Sequence, residues 1–255
     1  PSFLIFAYKG QAKETFEDKL IRRVGRGNTS FIKRSGTHGI VSKIIYIFLK
    51  NGKPTHIAKF SRFRRYQKHI AVEEKILASA NNLKIEELDI DGRKIFIEPF
   101  IKGRICQTLS LTDNTQAIQW LVNYKKSHRG KTIDSKNILN QVNKMSVLLD
   151  KLPDLSNSTI KTAKIRISKF AEELIKQKIS WTSEHGDFVK TNIIINNENK
   201  VFVLDWEFYE HQGVPLWDLM MFFIHNARVG PTPDSFANNF TGNGQYSSIL
   251  KNMWR

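Results

Sequence analysis

Two acids and an amide around residue 190 have the types and spacing for chemistry on phosphate. His185-Gly186-Asp187-Phe188-Val189-Lys190-Thr191-Asn192 precedes Ile193-Ile194-Ile195, a polar cluster at 196–200, Val201-Phe202-Val203-Leu204 and then Asp205-Trp206-Glu207. An apolar run, a turn cluster and a second apolar run read as a β-hairpin. Residues at the open ends of an antiparallel pair lie opposite one another, roughly 5 Å apart at Cα. With a turn of about four residues, Asn192 is expected to face Asp205. A carboxylate and an amide oxygen side by side suit a hard cation such as Mg²⁺, which is commonly held by one or two carboxylates plus substrate phosphates. Asp187, just upstream, is a spare carboxylate able to orient an attacking hydroxyl in phosphoryl transfer.

Further along, Gly213-Val214-Pro215-Leu216-Trp217-Asp218-Leu219 adds a third motif. In order and spacing the three resemble the aminoglycoside phosphotransferase and choline kinase family, relatives of the protein kinases. That family carries His-Gly-Asp, four residues, Asn, a hydrophobic strand ending in Asp-Trp-Glu, and then Gly-x-Pro-x-x-Asp-Leu. The resemblance implies an α+β, bilobal protein-kinase-like fold: a small antiparallel β-sheet lobe with one helix, and a larger, mainly helical lobe. It implies ATP and Mg²⁺, with Asp187 catalytic, Asn192 and Asp205 as metal ligands, and Lys190 approaching the transferred phosphate. His185 and Asp218 are expected to hold the loop around Asp187 by hydrogen bonds.

The elements that must position these groups are legible upstream. Phe31-Ile32-Lys33 and Val41 to Leu49 read as strands flanking a small polar loop, Ser35-Gly36-Thr37-His38-Gly39. In a kinase-like small lobe this loop covers the nucleotide phosphates with backbone N–H groups. Asn51-Gly52 is a turn, and Thr55 to Phe60 is the next strand. Its Lys59 resembles the strand lysine that contacts the α and β phosphates. The helix expected over Tyr66–Ala80 places Ile70, Glu73 and Leu77 on one face. A buried carboxylate there requires a cation, and Lys59 is the candidate; Glu74 is the alternative to Glu73. Asp91-Gly92 turns a second hairpin that leads into Glu98-Pro99-Phe100-Ile101. By resemblance, backbone groups of Glu98, Phe100 and Ile101 meet the adenine edge. Pro99 has no N–H and can only accept.

After Gly103 the pattern is helical, with helices expected from about Asn114 to Arg129, Asp134 to Asp150, Ser156 to Lys178 and Leu216 to Asn226. Thr112-Asp113 reads as the first cap, and His128 as a packing or capping histidine. A strand at Ser2 to Tyr8 and a helix from Ser247 are also expected. The domain reading is a leader segment at 1–27, either free-standing or the remnant of an upstream domain. A nucleotide-binding lobe at 28–101 and a catalytic lobe at 102–255 follow.

Composition narrows the function. Of 255 residues, 40 are Lys or Arg and 24 Asp or Glu, a net charge of +16. That field favours an anionic partner and ranks a polycationic antibiotic below other hydroxyl compounds. A small-molecule or glycan acceptor, itself anionic, fits best. The basic run Ser61-Arg62-Phe63-Arg64-Arg65-Tyr66-Gln67-Lys68-His69 reads either as a solvated loop or as a surface for nucleic acid or an acidic membrane. On the second reading the chain is a catalytically weak, kinase-like binding module. The single cysteine, Cys106, fits a reducing cytoplasm and a buried, unreactive role.

Overall fold

The alternating apolar residues of 29–61 and 86–99 build a five-stranded antiparallel sheet. Its strands are β1 (Thr29–Ser35), β2 (Lys43–Lys50), β3 (Lys53–Ser61), β4 (Glu86–Ile90) and β5 (Arg93–Pro99), ordered β1-β2-β3-β5-β4. The computed structural model describes residues 14–24, 29–35, 43–106, 110–132, 135–151, 156–177, 180–213 and 217–226. Gly36, Thr37, the strand expected at Ser2 to Tyr8 and the helix expected from Ser247 lie outside them. The chain divides into two compact units: Pro1–Ile105 with Thr191–Glu207, and Cys106–Lys190 with Phe208–Arg255.

In the first unit, Asn51-Gly52 and Asp91-Gly92 close two tight hairpins, with φ of 52° and 75°, and of 54° and 71°. Positive φ at both positions matches the twist of the flanking strands. One face of the sheet packs Tyr46, Phe48, Ala58 and Phe60 against helix α1 (Phe16–Val24), whose Leu20 is fully buried among them. Thr15 and Asp18 cap α1 reciprocally, with Thr15 N–H donating to Asp18 Oδ2 (2.9 Å) and Asp18 N–H to Thr15 Oγ1 (3.1 Å). The described part of the expected leader therefore belongs to this unit's core. A nine-residue helix is too short to persist alone and needs the sheet under its apolar stripe.

The opposite face carries α2 (Gln67–Asn81), which buries Ile70, Glu73, Glu74, Leu77 and Asn81. What reaches that face depends on a bulge. Strands β2 and β3 leave their turn paired Lys50↔Lys53 and Leu49↔Pro54, then slip to Phe48↔His56, with Thr55 the extra residue. A one-residue slip exchanges the faces of everything beyond it. Lys43 consequently lies opposite Ser61, on the Lys59 face, rather than opposite Phe60.

A second, three-stranded sheet in this unit has the order β10-β9-β6, from β6 (Arg104–Ile105), β9 (Ile193–Ile195) and β10 (Val201–Val203). Asn81, at the end of α2, anchors it. Its amide donates to Val203 O (2.7 Å) and accepts from Val203 N–H (2.8 Å), as a neighbouring strand would.

The second unit is built on α3 (Leu111–Ser127), α4 (Ser135–Leu149), α5 (Asn157–Lys176) and α6 (Trp217–Asn226). It also holds the sheet β11-β8-β7, from β7 (Arg129–Thr132), β8 (Ser180–Glu184) and β11 (Glu210–Gly213). Helix α3 starts earlier than its expected cap, because Ser110 Oγ accepts from Asp113 N–H (3.1 Å). His128 ends that helix, with Nδ1 3.0 Å from Tyr124 O and its ring stacked on Tyr124. Among the described residues no helix is long and apolar enough to cross a membrane.

Candidate active site

The loop carrying Asp187 is built in the second unit from the end of β8. Gly186 has φ +85°, and a Cβ there would lie 2.3 Å from Phe208 O, so only glycine fits. Asp218, at the start of α6, grips the loop with both oxygens: Oδ2 accepts from His185 N–H (2.8 Å) and Oδ1 from Gly186 N–H (2.9 Å). Buried His185 presents Nδ1 to Asp187 N–H (3.2 Å), and Asp187 O accepts from Val189 N–H (2.9 Å). The holding roles expected of Asp218 and His185 are visible in these bonds.

Behind Asp218 stands Lys125, whose ammonium reaches Asp218 Oδ2 (2.7 Å), Ser183 O (2.7 Å) and Glu184 Oε2. Burial pushes Asp218 up, but Lys125 and the loop donors outweigh it and hold the carboxyl below its ordinary range. Glu184 moves up, through burial and the adjacent Asp218 charge.

In the first unit, Ile193↔Val203 pairing continues one step, with Leu204 N–H donating to Asn192 O (2.8 Å). Asn192 therefore faces Leu204 and not Asp205. The tip is shorter than expected. Asn196 and Lys200 pair, leaving 197–199 as the loop, with Asn199 at φ +61° and Asn196 Oδ1 accepting from Glu198 and Lys200 N–H. Residues 192 and 205 still share the open end of the hairpin, offset by one. Asp205 leaves the strand at φ +61°. A left-handed conformation is uncommon for a residue with a side chain and concentrates at functional sites. Trp206 pins it from behind, buried, with Nε1–H on Val203 O (2.9 Å).

Two lysine clusters lie against α2. Lys43 Nζ contacts Glu73 Oε1 (2.8 Å), Asp205 Oδ1 (2.8 Å) and Glu207 Oε2 (3.3 Å). Lys59 Nζ contacts Glu98 Oε1 (2.9 Å) and Glu74 Oε1 (3.4 Å), the latter outside hydrogen-bond geometry. The expected Lys59–Glu73 pair is thus replaced. The bulge brings a second lysine to this face, and consecutive acids on α2 go one to each, so that the alternative, Glu74, stands beside Lys59. Burial pulls both ammonium groups down, yet their carboxylates prevail and hold them above the ordinary lysine range. Glu73 is pushed up by burial against the pull of Lys43 and Lys59.

Glu98 is buried and turned toward Lys59. Phe100 N–H is already donated to Thr55 O (2.9 Å), whereas Ile101 N–H has no acceptor among the described residues. Ser35 ends β1, and half-buried Lys190 opens a single 3-10 turn to Asn192. In the basic run, Arg64 donates to Asp91 O (3.0 Å), and Arg65 lies over the Phe63 and Tyr66 rings (5.6 and 4.9 Å). Those two arginines bind their own chain. Lys43, Glu207, Lys125 and Glu184 escaped the sequence reading. Lys125 carried a signal, since it continues the apolar register of Ile118 and Leu121.

No protein-family profile and no curated protein matches the sequence. Solved structures do. Macrolide 2'-phosphotransferase MphH from Brachybacterium faecium has TM-score 0.58 at 11% identity, over 92% of this chain and 82% of that one. Aminoglycoside 2'-phosphotransferase-IIIa, solved with GDP, has TM-score 0.55 at 12% identity, over 82% and 77%. A choline/ethanolamine kinase family protein from Mesorhizobium loti has TM-score 0.51 at 13% identity, over 87% and 77%. The chain has the protein-kinase-like fold of these phosphotransferases.

Proposed function

We propose that the protein is a Mg²⁺-dependent kinase that moves the γ-phosphoryl group of ATP to a hydroxyl of a small molecule or glycan. The observation that carries this is the support given to the two acids of the motif. The Asp187 loop is tied by Asp218 through two backbone N–H groups. Asp205 is presented half-exposed from a left-handed residue beside a lysine.

Asp187 accepts the acceptor's hydroxyl proton as the new O–P bond forms. The bond from the γ-phosphorus to the β–γ bridging oxygen breaks, and ADP leaves. Asn192 and Asp205 supply hard oxygen donors, which fit Mg²⁺ better than a soft metal. Among the described residues no cluster of three or more His, Cys, Asp or Glu side chains forms a cage. Such a sparse donor set suits an ion that keeps waters and shares substrate phosphates. Bound there, the ion would neutralise charge developing on the phosphates. Ile101 N–H is the donor for the adenine edge, while the side chain of Glu98 faces Lys59. The solved aminoglycoside enzyme with GDP supports a purine nucleotide. The net charge of +16 supports a neutral or anionic acceptor over a polycation.

The test is nucleotide consumption against a panel of hydroxyl acceptors that includes anionic sugars and glycan fragments. Asp187→Ala is expected to lower turnover by about 10²–10⁴-fold, the usual worth of a positioned base, while nucleotide binding persists. Full turnover without Asp187, or no Mg²⁺-dependent nucleotide binding by the wild type, would reject the reading.

A further inference from the structure

We propose that Lys43, on β2, is the lysine that grips the nucleotide phosphates, with Glu73 orienting it, and that Lys59 is a structural lysine of the interior. The proposal rests on the kinase reading above and concerns which side chain performs one of its tasks.

A phosphate-gripping ammonium needs an inner carboxylate to fix its direction and an outer side that can be exchanged for phosphate. Both lysine side chains are equally covered, at 11% exposure, so accessibility of the lysine itself does not separate them. Their partners do. Around Lys43 the carboxylates are graded: Glu73 is 3% exposed, Glu207 32% and Asp205 45%. A phosphate oxygen arriving from the Asp205 side can replace that contact, and Asp205 then turns to water or to a cation. Glu73 stays behind and keeps the ammonium aimed.

Around Lys59 the partners are sealed, with Glu74 at 1% and Glu98 at 4% exposure. Both Glu74 oxygens and Glu98 Oε2 already lack hydrogen-bond donors. Drawing Lys59 away to a phosphate would leave two buried carboxylates without their cation, which is the costly way to break a buried pair.

Position adds a second argument. Lys43 shares an ion pair with Asp205, the carboxylate placed at the metal, whereas among the described residues the ion pairs of Lys59 run only to Glu74 and Glu98. The Thr55 bulge is the backbone device that makes this possible, since without the slip Lys43 would lie opposite Phe60 and on the face away from Lys59. Bulges next to active sites commonly re-aim a side chain in this way.

The decisive experiment is affinity labelling of the whole chain with an acyl-phosphate derivative of ATP. The amine of the lysine nearest the phosphates attacks the acyl carbon. An amide bond forms, the carbon–oxygen bond to phosphate breaks, the amine proton goes to solvent, and ATP is released. Peptide mass spectrometry then locates the label that excess ATP suppresses.

The expected site is Lys43, with Lys59 unmodified; label on Lys59 with Lys43 untouched would overturn the assignment. Calorimetric ATP binding gives an independent reading. Lys43→Met should weaken binding about 10–100-fold, the range for losing a charge-assisted hydrogen bond, and Lys43→Arg should restore part of it. A folded Lys43→Met protein that binds ATP as the wild type does would also overturn the assignment. Should Lys43→Met fail to fold, the wild-type label and the Lys43→Arg protein still decide. Absence of any ATP-suppressible label on the wild type is a different result: it removes the kinase reading, and the role of Lys43 with it.

Discussion

Each unit buries a lysine between two carboxylates, Lys59 in the first and Lys125 in the second, and these two clusters handle the surplus negative charge differently. In the Lys125 cluster of the second unit all four oxygens of Asp218 and Glu184 have a donor. Asp218 takes His185 N–H, Gly186 N–H and Lys125. Glu184 takes Thr182 Oγ1 (2.5 Å), Asp218 N–H (3.1 Å) and Lys125. In the first unit Lys59 stands between Glu74 and Glu98, and three of their four oxygens have no hydrogen-bond donor. One lysine and two acids are thus wired outward to a loop in one case and closed upon themselves in the other. A fully satisfied polar network fixes geometry, whereas a partly satisfied one mainly strains stability. The Lys125 cluster should govern turnover, and the Lys59 cluster should govern folding.

The largest effect that would break this contrast comes from Asp218. Asp218→Ala removes the acceptor of two loop N–H groups and the partner of a buried lysine. Breaking such a pair costs about 3–5 kcal/mol, to be read as a fall in thermal midpoint. Asp218→Asn keeps one oxygen but presents an N–H₂ group to donors. It should fold, and on the proposed kinase reading turnover should fall by about 10²-fold, the cost of a displaced Asp187 loop. Normal turnover in a folded Asp218→Asn protein would show that the loop holds itself.

Lys59 comes next. Lys59→Met leaves two buried carboxylates facing one another and should cost about 3 kcal/mol in chemical denaturation, at the lower end for a buried pair. Adding Glu74→Gln should return part of that loss above about pH 8, where Glu74 is ionised and one of the stranded charges is then gone. The double substitution is therefore expected to be less destabilising than the sum of the singles, as for residues in contact. Strict additivity would mean that the cluster is not coupled.

The same contrast explains what was legible from sequence. The Asp218 arrangement was legible through the resemblance, which links the Gly-x-Pro-x-x-Asp-Leu segment to a loop 33 residues upstream. The hairpin 193–203 and the turns at Asn51-Gly52 and Asp91-Gly92 were legible because their parts are local. The Lys43 arrangement was not. In Lys53 to Ser61 only Pro54, of a type that paired strands tolerate at bulges, hints at the extra residue Thr55, yet that residue decides whether Lys43 shares a face with Lys59 and hence which lysine meets Glu73. The offset of Asn192 from Asp205 has a similar origin, because three asparagines around Glu198 support a loop one residue shorter than the expected turn. The packing of α1 and the sheet β11-β8-β7 are contacts between distant segments, which periodicity cannot register.

The smallest effect is the sharpest test of the comparison, since it needs no large perturbation. Burial, reinforced by the neighbouring Glu98 and Glu73 charges and opposed by Lys59, raises Glu74 from about 4.5 to about 8. A carboxyl whose folded value is raised binds a proton in the native state over a range where the unfolded chain has released it. Stability then falls with pH across that range, because the native state holds more protons there. The Glu74 contribution should be complete below about pH 4.5, decline as pH rises toward about 8, and level off beyond. Asp218 has the opposite sign: its folded value is depressed, so its contribution is present at neutral pH and is lost only in acid. Glu184, raised like Glu74, adds a decline of its own. Glu74→Gln should therefore flatten the neutral-range slope in part, leaving the Glu184 component and the acid limb unchanged. The measurement is thermal midpoint against pH for the two proteins, at low and high salt. Because these groups are buried, the difference between the proteins should survive added salt. An identical slope in the wild type and in Glu74→Gln would mean that the Lys59 cluster is fully ionised, and that its unsatisfied oxygens are not where this unit stores its strain.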